Sequence, residues 1–289
     1  MPTMVGEGED EVTSQEGEEL MFGLDFASLK VSDVKDEDTF EGFVSKTGRE
    51  SEYDPSLVEC LLTLQHDLPP ATEADFFELF AWATEHGARL DKIFCQKDTH
   101  GGRGLYSLGP MNKGDIIAVL PRPLRIGQME ACRVLKLPWD TPDLTALSLL
   151  VLWYYREGHV YSKSLPRLAE FQNAIFLTPE EELSWSAYTE YMDAIRNFRS
   201  RAEGCRKYIE TCLASGGAPM RTKTINWAIS MVKSRSHAFG SKHGYWLTPV
   251  FDLLNHCPTP NAVIEGDDQG QLVCKEISLV HVFILQATR

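Results

Sequence analysis

The sequence has no Cys-x-x-Cys pair: its seven cysteines (Cys60, Cys95, Cys132, Cys205, Cys212, Cys257 and Cys274) are odd in number and widely scattered. That pattern disfavours both a disulfide framework and a structural zinc site, so no metal is expected. Long apolar runs are also missing. The most apolar stretch, residues 144–155, is about 12 residues against the roughly 20 that span a bilayer. The amino end carries no basic segment followed by an apolar one, so no signal peptide is expected. Basic charge is scarce, with 28 Lys or Arg against 42 Asp or Glu and a formal net of −14. Phosphate contacts need clustered cations, so neither direct nucleic-acid binding nor membrane association is expected. The expectation is an intracellular protein of the cytoplasm, nucleus or a plastid, its oligomeric state open.

The negative charge is unevenly placed. The first 54 residues hold 16 Asp or Glu against 4 Lys or Arg, a net of −12, which leaves −2 for residues 55–289. Residues 1–54 mix Gly, Glu, Asp and Ser with few apolar positions and read as a disordered acidic tail, because too little surface can be buried to offset ordering entropy. In residues 55–90, "SLVECLLTL" and "TEADFFELFAWATEHGA" space apolar residues at three and four, the second with Thr72 or Asp75 as cap and Gly87 as stop. From residue 91 onward short β-type runs are broken by Gly and Pro: Leu105-Tyr106, a turn at Met111-Asn112-Lys113-Gly114, then residues 116–120. Helical patterns fill about 128–232: "DLTALSLLVLWYYREGH", apolar all round; "TPEEELSWSAYTEYMDAIRNFRSRAEGCRKYIETCLA", with Thr178-Pro179 as its start and Gly216-Gly217 as its stop; and "TKTINWAISMVKSRSHAF". β character returns with "GYWLTPVFDLL" and with "NAVIEGDDQGQLVCKEI", which reads as a hairpin. The fold class is α+β: a β-rich domain over 91–289 holding a long helical insertion.

Individual motifs say little alone. Gly101, Gly102 and Gly104 precede no phosphate-binding helix and read as a plain turn. Arg235 reads as a surface arginine, although a guanidinium fork is the right partner for a small carboxylate. His237, His243 and His256 lack metal-ligand spacing, Cys257 points away from its neighbour His256 on a strand, and no serine lies in a nucleophile elbow. The run 250–254 reads as a buried strand ending on Asp252, Asn255 and His256. Burying those groups together costs several kcal/mol, on the order of 2–7 per unpaired polar group, unless each finds a partner or a ligand.

The order of the pieces is more telling. "GRGLYSLGPMNKGDIIAVLP", "LPRLAEFQNAIFLTPEEEL", "WAISMVKSRSHAF" and "LTPVFDLLNHCPTPNA" together resemble SET-domain protein methyltransferases. The resemblance is to the branch with the plastid Rubisco lysine methyltransferase and the actin histidine methyltransferase, over roughly residues 73–279. It implies S-adenosylmethionine as cofactor and a protein substrate. It implies that Arg103, Gly104 and Leu105 bring backbone close to the cofactor and that Arg235 meets its carboxylate end. It further implies that Asn255 and His256 bind the cofactor, with Asp252 bracing their turn. The family's orienting tyrosine has no counterpart, since no tyrosine follows Tyr245, and no catalytic residue is assigned. The similarity breaks near Ser278, so a longer native product and a foreign origin for about the last ten residues are expected, with the domain truncated before its closure. The reading is a protein-lysine methyltransferase, with a catalytically inactive SET-like binding module as the alternative.

Overall fold

A computed structural model describes residues 71–97, 103–167, 174–214, 222–238, 244–256, 260–266, 271–276 and 286–287. The acidic tail, the helix expected in "SLVECLLTL", Gly101, Gly102, His243, Cys257 and the Gly216-Gly217 stop lie outside them. The first helix, α1 (Glu73–Glu85), starts on a capping box in which Thr72 and Asp75 exchange bonds. Gly87, at φ 92, ends its turn as only glycine does comfortably.

Three small sheets follow. Strands β1 (Ile93–Lys97) and β2 (Arg103–Ser107) pair antiparallel. Strand β3 (Ile116–Leu120) is buried at four of five positions and lies antiparallel to β8 (Leu272–Glu276), which pairs in turn with β7 (Ala262–Gly266). Gly114, at φ 91, supplies the expected turn before β3. The two-residue strands β9 (Gln286–Ala287) and β6 (Asn255–His256) complete that sheet in the order β3-β8-β7-β9-β6, both of β9's pairings being parallel. Gln286 and Ala287, which fall in the stretch expected to be foreign to the fold, thus pair with Asn255 and His256. A third pair joins β4 (Ser236–Ala238) to β5 (Tyr245–Leu247).

The helical insertion runs from α2 (Gln128–Leu135) through α3 (Asp143–Arg156), α4 (Val160–Ser164), α5 (Pro179–Trp185) and α6 (Thr189–Ala214) to α7 (Thr222–Arg235). Helix α3 is buried from Leu144 through Leu152 without interruption, as its all-round apolar pattern predicts, and packs on α2, α4, α6 and α7. Each of its fully buried leucines contributes about 1.5–3 kcal/mol of transfer free energy. Helix α7 buries Ile225, Trp227, Ala228, Ile229, Met231 and Val232 against α3 and so fixes where Arg235, its last residue, emerges.

Four expectations need correction. Arg103 and Gly104 belong to strand β2 rather than to a loop. The pattern read as one helix from Thr178 is two, because Ser186 closes α5 through bonds from its N–H and its hydroxyl to the Leu183 carbonyl (3.2 and 2.7 Å). The third helical pattern stops at Arg235, where Ser236–Ala238 turns into a strand. The run 250–254 is not a strand. Pro249 has no ladder donor, and Val250 sits at φ 75, ψ −52, so the chain turns into a 3-10 turn over Phe251–Leu253. A β-branched residue there stores strain of about 1–3 kcal/mol. Bonds from the N–H of Asp252 to Thr248 O (3.0 Å) and from the N–H of Leu253 to Val250 O (3.0 Å) hold it in place.

Candidate functional site

Three segments remote in sequence meet where β2, the end of α7 and the 251–256 turn converge. The Asn255 amide donates from Nδ2 to the Arg103 carbonyl (3.0 Å), tying the turn to β2. The contact depends on the absence of a side chain at Gly104, where a Cβ would stand 2.8 Å from that same Nδ2. Gly104 is therefore required by close approach, not by a turn. Arg235, half-buried, donates from Nη1 to the Asp252 carbonyl (2.8 Å). The buried Asp252 carboxylate accepts at Oδ2 from the hydroxyl of Tyr161 on α4 (3.2 Å).

Burial sets the protonation states around this junction. Cys95, opposite Leu105 in the β1–β2 register, has its thiol pushed up to about 11, chiefly by burial. The Arg103 and Arg235 cations oppose that rise and the Asp252 charge adds to it. These four residues therefore share one neighbourhood, and Cys95 is a protonated, unreactive thiol at neutral pH. Tyr161 is held far above the usual phenol range, first by burial and then by the Asp252 charge, so it is a neutral donor. The Arg103 guanidinium lies 5.3 Å over the Phe76 ring of α1, a cation–π contact that ties β2 to that helix.

One flank of α4 is pH-sensitive. His159 accepts the Tyr161 N–H at Nδ1 (3.2 Å), capping the helix, and stacks on Tyr154 with ring centroids 4.1 Å apart. Burial, and secondarily His86, hold its imidazole below the ordinary value of 6.5. A base whose folded pKa is depressed resists protonation in the fold. Its contribution is complete above about 6.5, the unfolded value, and is lost as pH falls below it. Thermal melts between about pH 7 and pH 5 should show stability falling as pH is lowered, with a shallower slope in His159→Asn, which keeps a capping acceptor without the titration.

The geometry brings together Arg103, Gly104, Arg235, Asp252 and Asn255, all singled out from the sequence. Leu105 lies beside them as a core residue, 1% exposed. His256 enters through its backbone, paired with Ala287 in β6–β9. His237 is buried and bonded through Nδ1 to Thr248 Oγ1 (2.8 Å), a structural role. Among the described residues no group of three His, Cys, Asp or Glu is arranged to hold a metal, and no helix is long and apolar enough to cross a membrane. Tyr161, Phe76 and Cys95 were missed. Tyr161 sits in "EGHVYSKSLP", which has no periodicity to single it out.

No family model matches the sequence, and no curated protein does. Solved structures do match in fold. The SET domain of LSMT bound to lysine and AdoHcy superposes with a TM-score of 0.58 at 15% identity, over 76% of this chain and 55% of that one. Rubisco LSMT bound to sinefungin and monomethyllysine gives 0.56 at 18% identity, over 75% and 53%. Rubisco LSMT bound to AdoMet gives 0.52 at 20% identity, over 74% and 52%. The fold is that of the SET domain, in the α+β form expected, and its neighbours are SET-domain lysine methyltransferases. This chain spans about half the length of the structures it matches.

Proposed function

We propose that this chain is an S-adenosylmethionine-dependent protein methyltransferase directed at lysine. The observation that carries the reading is the clamp of Asn255 on Arg103, made across the bare Gly104, with Arg235 bonded to Asp252 in the same turn. The residues fit the cofactor's chemistry. Arg235 is the cation its carboxylate requires, the Arg103 to Leu105 strand offers backbone, and the Asn255 amide and the backbone of the 251–256 turn are neutral partners for its ammonium and adenine. Arg103, Gly104, Leu105, Arg235, Asp252, Asn255 and His256 would form that cradle. The matched structures carry AdoMet, AdoHcy or sinefungin, and two of them lysine or a methylated lysine, which supports the cofactor and the substrate class.

When bound, S-adenosylmethionine supplies an electrophilic methyl on a sulfonium. The chain's own share of the work is placement and exclusion of water, because direct displacement needs no covalent intermediate on the protein. Arg235 and Asn255 would hold its amino-acid end, with the backbone at Gly104 beside them. No side chain here is assigned as acid or base. Incubation with S-adenosylmethionine labelled in its methyl group and a protein extract tests the reading: label should appear in methyllysine after hydrolysis. Label in methylhistidine would overturn the lysine assignment, and none at all, with cofactor bound, would overturn the transferase.

A further inference from the structure

Helix α4 is five residues long, far too short to be stable alone, yet it is fastened at both ends. His159 caps it, and the Ser162 hydroxyl lies within bonding distance of the carbonyls of Tyr154 (2.8 Å) and His159 (2.7 Å). Arg167, 8% exposed, donates to the carbonyls of Ser162 (3.1 Å) and Lys163 (3.0 Å) while its guanidinium lies 5.7 Å over Tyr155. So many ties on so short a segment fix one side chain, that of Tyr161, which is 0% exposed. Its hydroxyl crosses from the helical insertion to the Asp252 carboxylate, 91 positions away in sequence.

We propose that Tyr161 is a positioning residue: its hydroxyl holds the Asp252 carboxylate, and through it keeps the 251–256 turn in the conformation that cofactor binding needs. This rests on the reading of that turn as a cofactor cradle. The turn needs an outside anchor, because it opens on the strained Val250 and its own hold is the bonds from the N–H groups of Asp252, Leu253 and Leu254 to Thr248, Val250 and Phe251. Arg235 secures the backbone of Asp252 and Tyr161 secures its side chain, so one residue is held from two elements. A buried bond to a charged acceptor is among the stronger ones a phenol makes.

Tyr161→Phe removes the hydroxyl and keeps the ring, and two measurements read the result. In the ligand-free chain, amide exchange at Asp252, Leu253 and Leu254 should quicken by about fivefold or more, while α3 and α7 exchange as before. A general loss of stability would quicken all of them together and would overturn the proposal, as would unchanged exchange in the turn. Titration with S-adenosylmethionine should show about tenfold weaker binding by Tyr161→Phe. In an Asp252→Ala background, which leaves the hydroxyl no side-chain acceptor, the same substitution should change affinity no further, because the two act as one unit. Equal affinity of wild type and Tyr161→Phe overturns the positioning role. A wild type that ignores the cofactor overturns instead the reading of the turn, and the two failures are thereby told apart.

Discussion

Gly104→Ala is expected to weaken S-adenosylmethionine binding by tenfold to about a hundredfold while lowering stability by only about 1 kcal/mol. The asymmetry comes from what the new methyl meets. A Cβ at this position would stand 2.8 Å from Asn255 Nδ2, 3.6 Å from the Tyr106 ring and 3.9 Å from Asn255 Cγ. The ring contact is ordinary, so the core around β2 accepts the methyl. The amide contact is too short, so Asn255 swings aside and its bond to the Arg103 carbonyl is lost. One hydrogen bond is a small part of the folding free energy. It is also the tie that joins β2 to the turn, and there the larger effect falls. Denaturant unfolding and cofactor titration of the same preparation read both quantities. An alanine variant that binds as tightly as wild type would show that Gly104 is there only for packing.

Leu150→Ala should behave in the opposite sense. Leu150 is 0% exposed in the middle of α3, and α3 packs on α2, α4, α6 and α7. Truncating it leaves a cavity that close-packed helices fill only partly, at a cost of about 3 kcal/mol within a range of roughly 2–5. The site is built from β2, the last residue of α7 and the 251–256 turn, and Leu150 lies on none of these elements. Chemical denaturation should show the full loss in stability, and titration below the unfolding transition should show unchanged affinity per folded molecule. Strong weakening of cofactor binding alongside full folding would mean that the insertion core and the cradle are coupled more broadly than through Tyr161 and Arg235.

Much of this was legible in the sequence, for physical reasons that can be named. Helix α1 announces itself by Thr72, Asp75 and Gly87, and α3 by apolar residues on every face. The hairpin of β7 and β8 and the strand 116–120 follow from β-branched runs between turn residues. The misreadings have three different physical causes: a local side-chain bond, a backbone conformation and a cross-strand pairing. Ser186 ends α5 through its own hydroxyl, in the middle of an apolar periodicity that runs on. Val250 adopts a positive φ that no propensity favours, and the run 250–254 becomes a turn although its composition reads as a strand. Arg103 and Gly104 pair as a strand because Lys97 and Gln96 lie opposite, a partnership invisible without the fold.

The site divides in the same way. Gly104, Arg235, Asp252 and Asn255 were singled out through the order of four motifs, and the structure brings them together by contacts over 152 positions from Asn255 to Arg103 and 17 from Arg235 to Asp252. Tyr161 gave no such signal, because its importance lies entirely in where the insertion delivers it. A phenol in a sequence stretch without periodicity is one of nine tyrosines until Asp252 is found beside it.

The central claim is that the junction of β2, Arg235 and the 251–256 turn is a cradle for S-adenosylmethionine. Isothermal titration of S-adenosylmethionine into the wild-type chain and into Asn255→Ala tests it most directly. The account predicts saturable one-to-one binding by the wild type and loss of it in the variant, with both chains folded by circular dichroism. A wild type that gives no binding heat at several temperatures, or an Asn255→Ala variant that binds equally well, would contradict it.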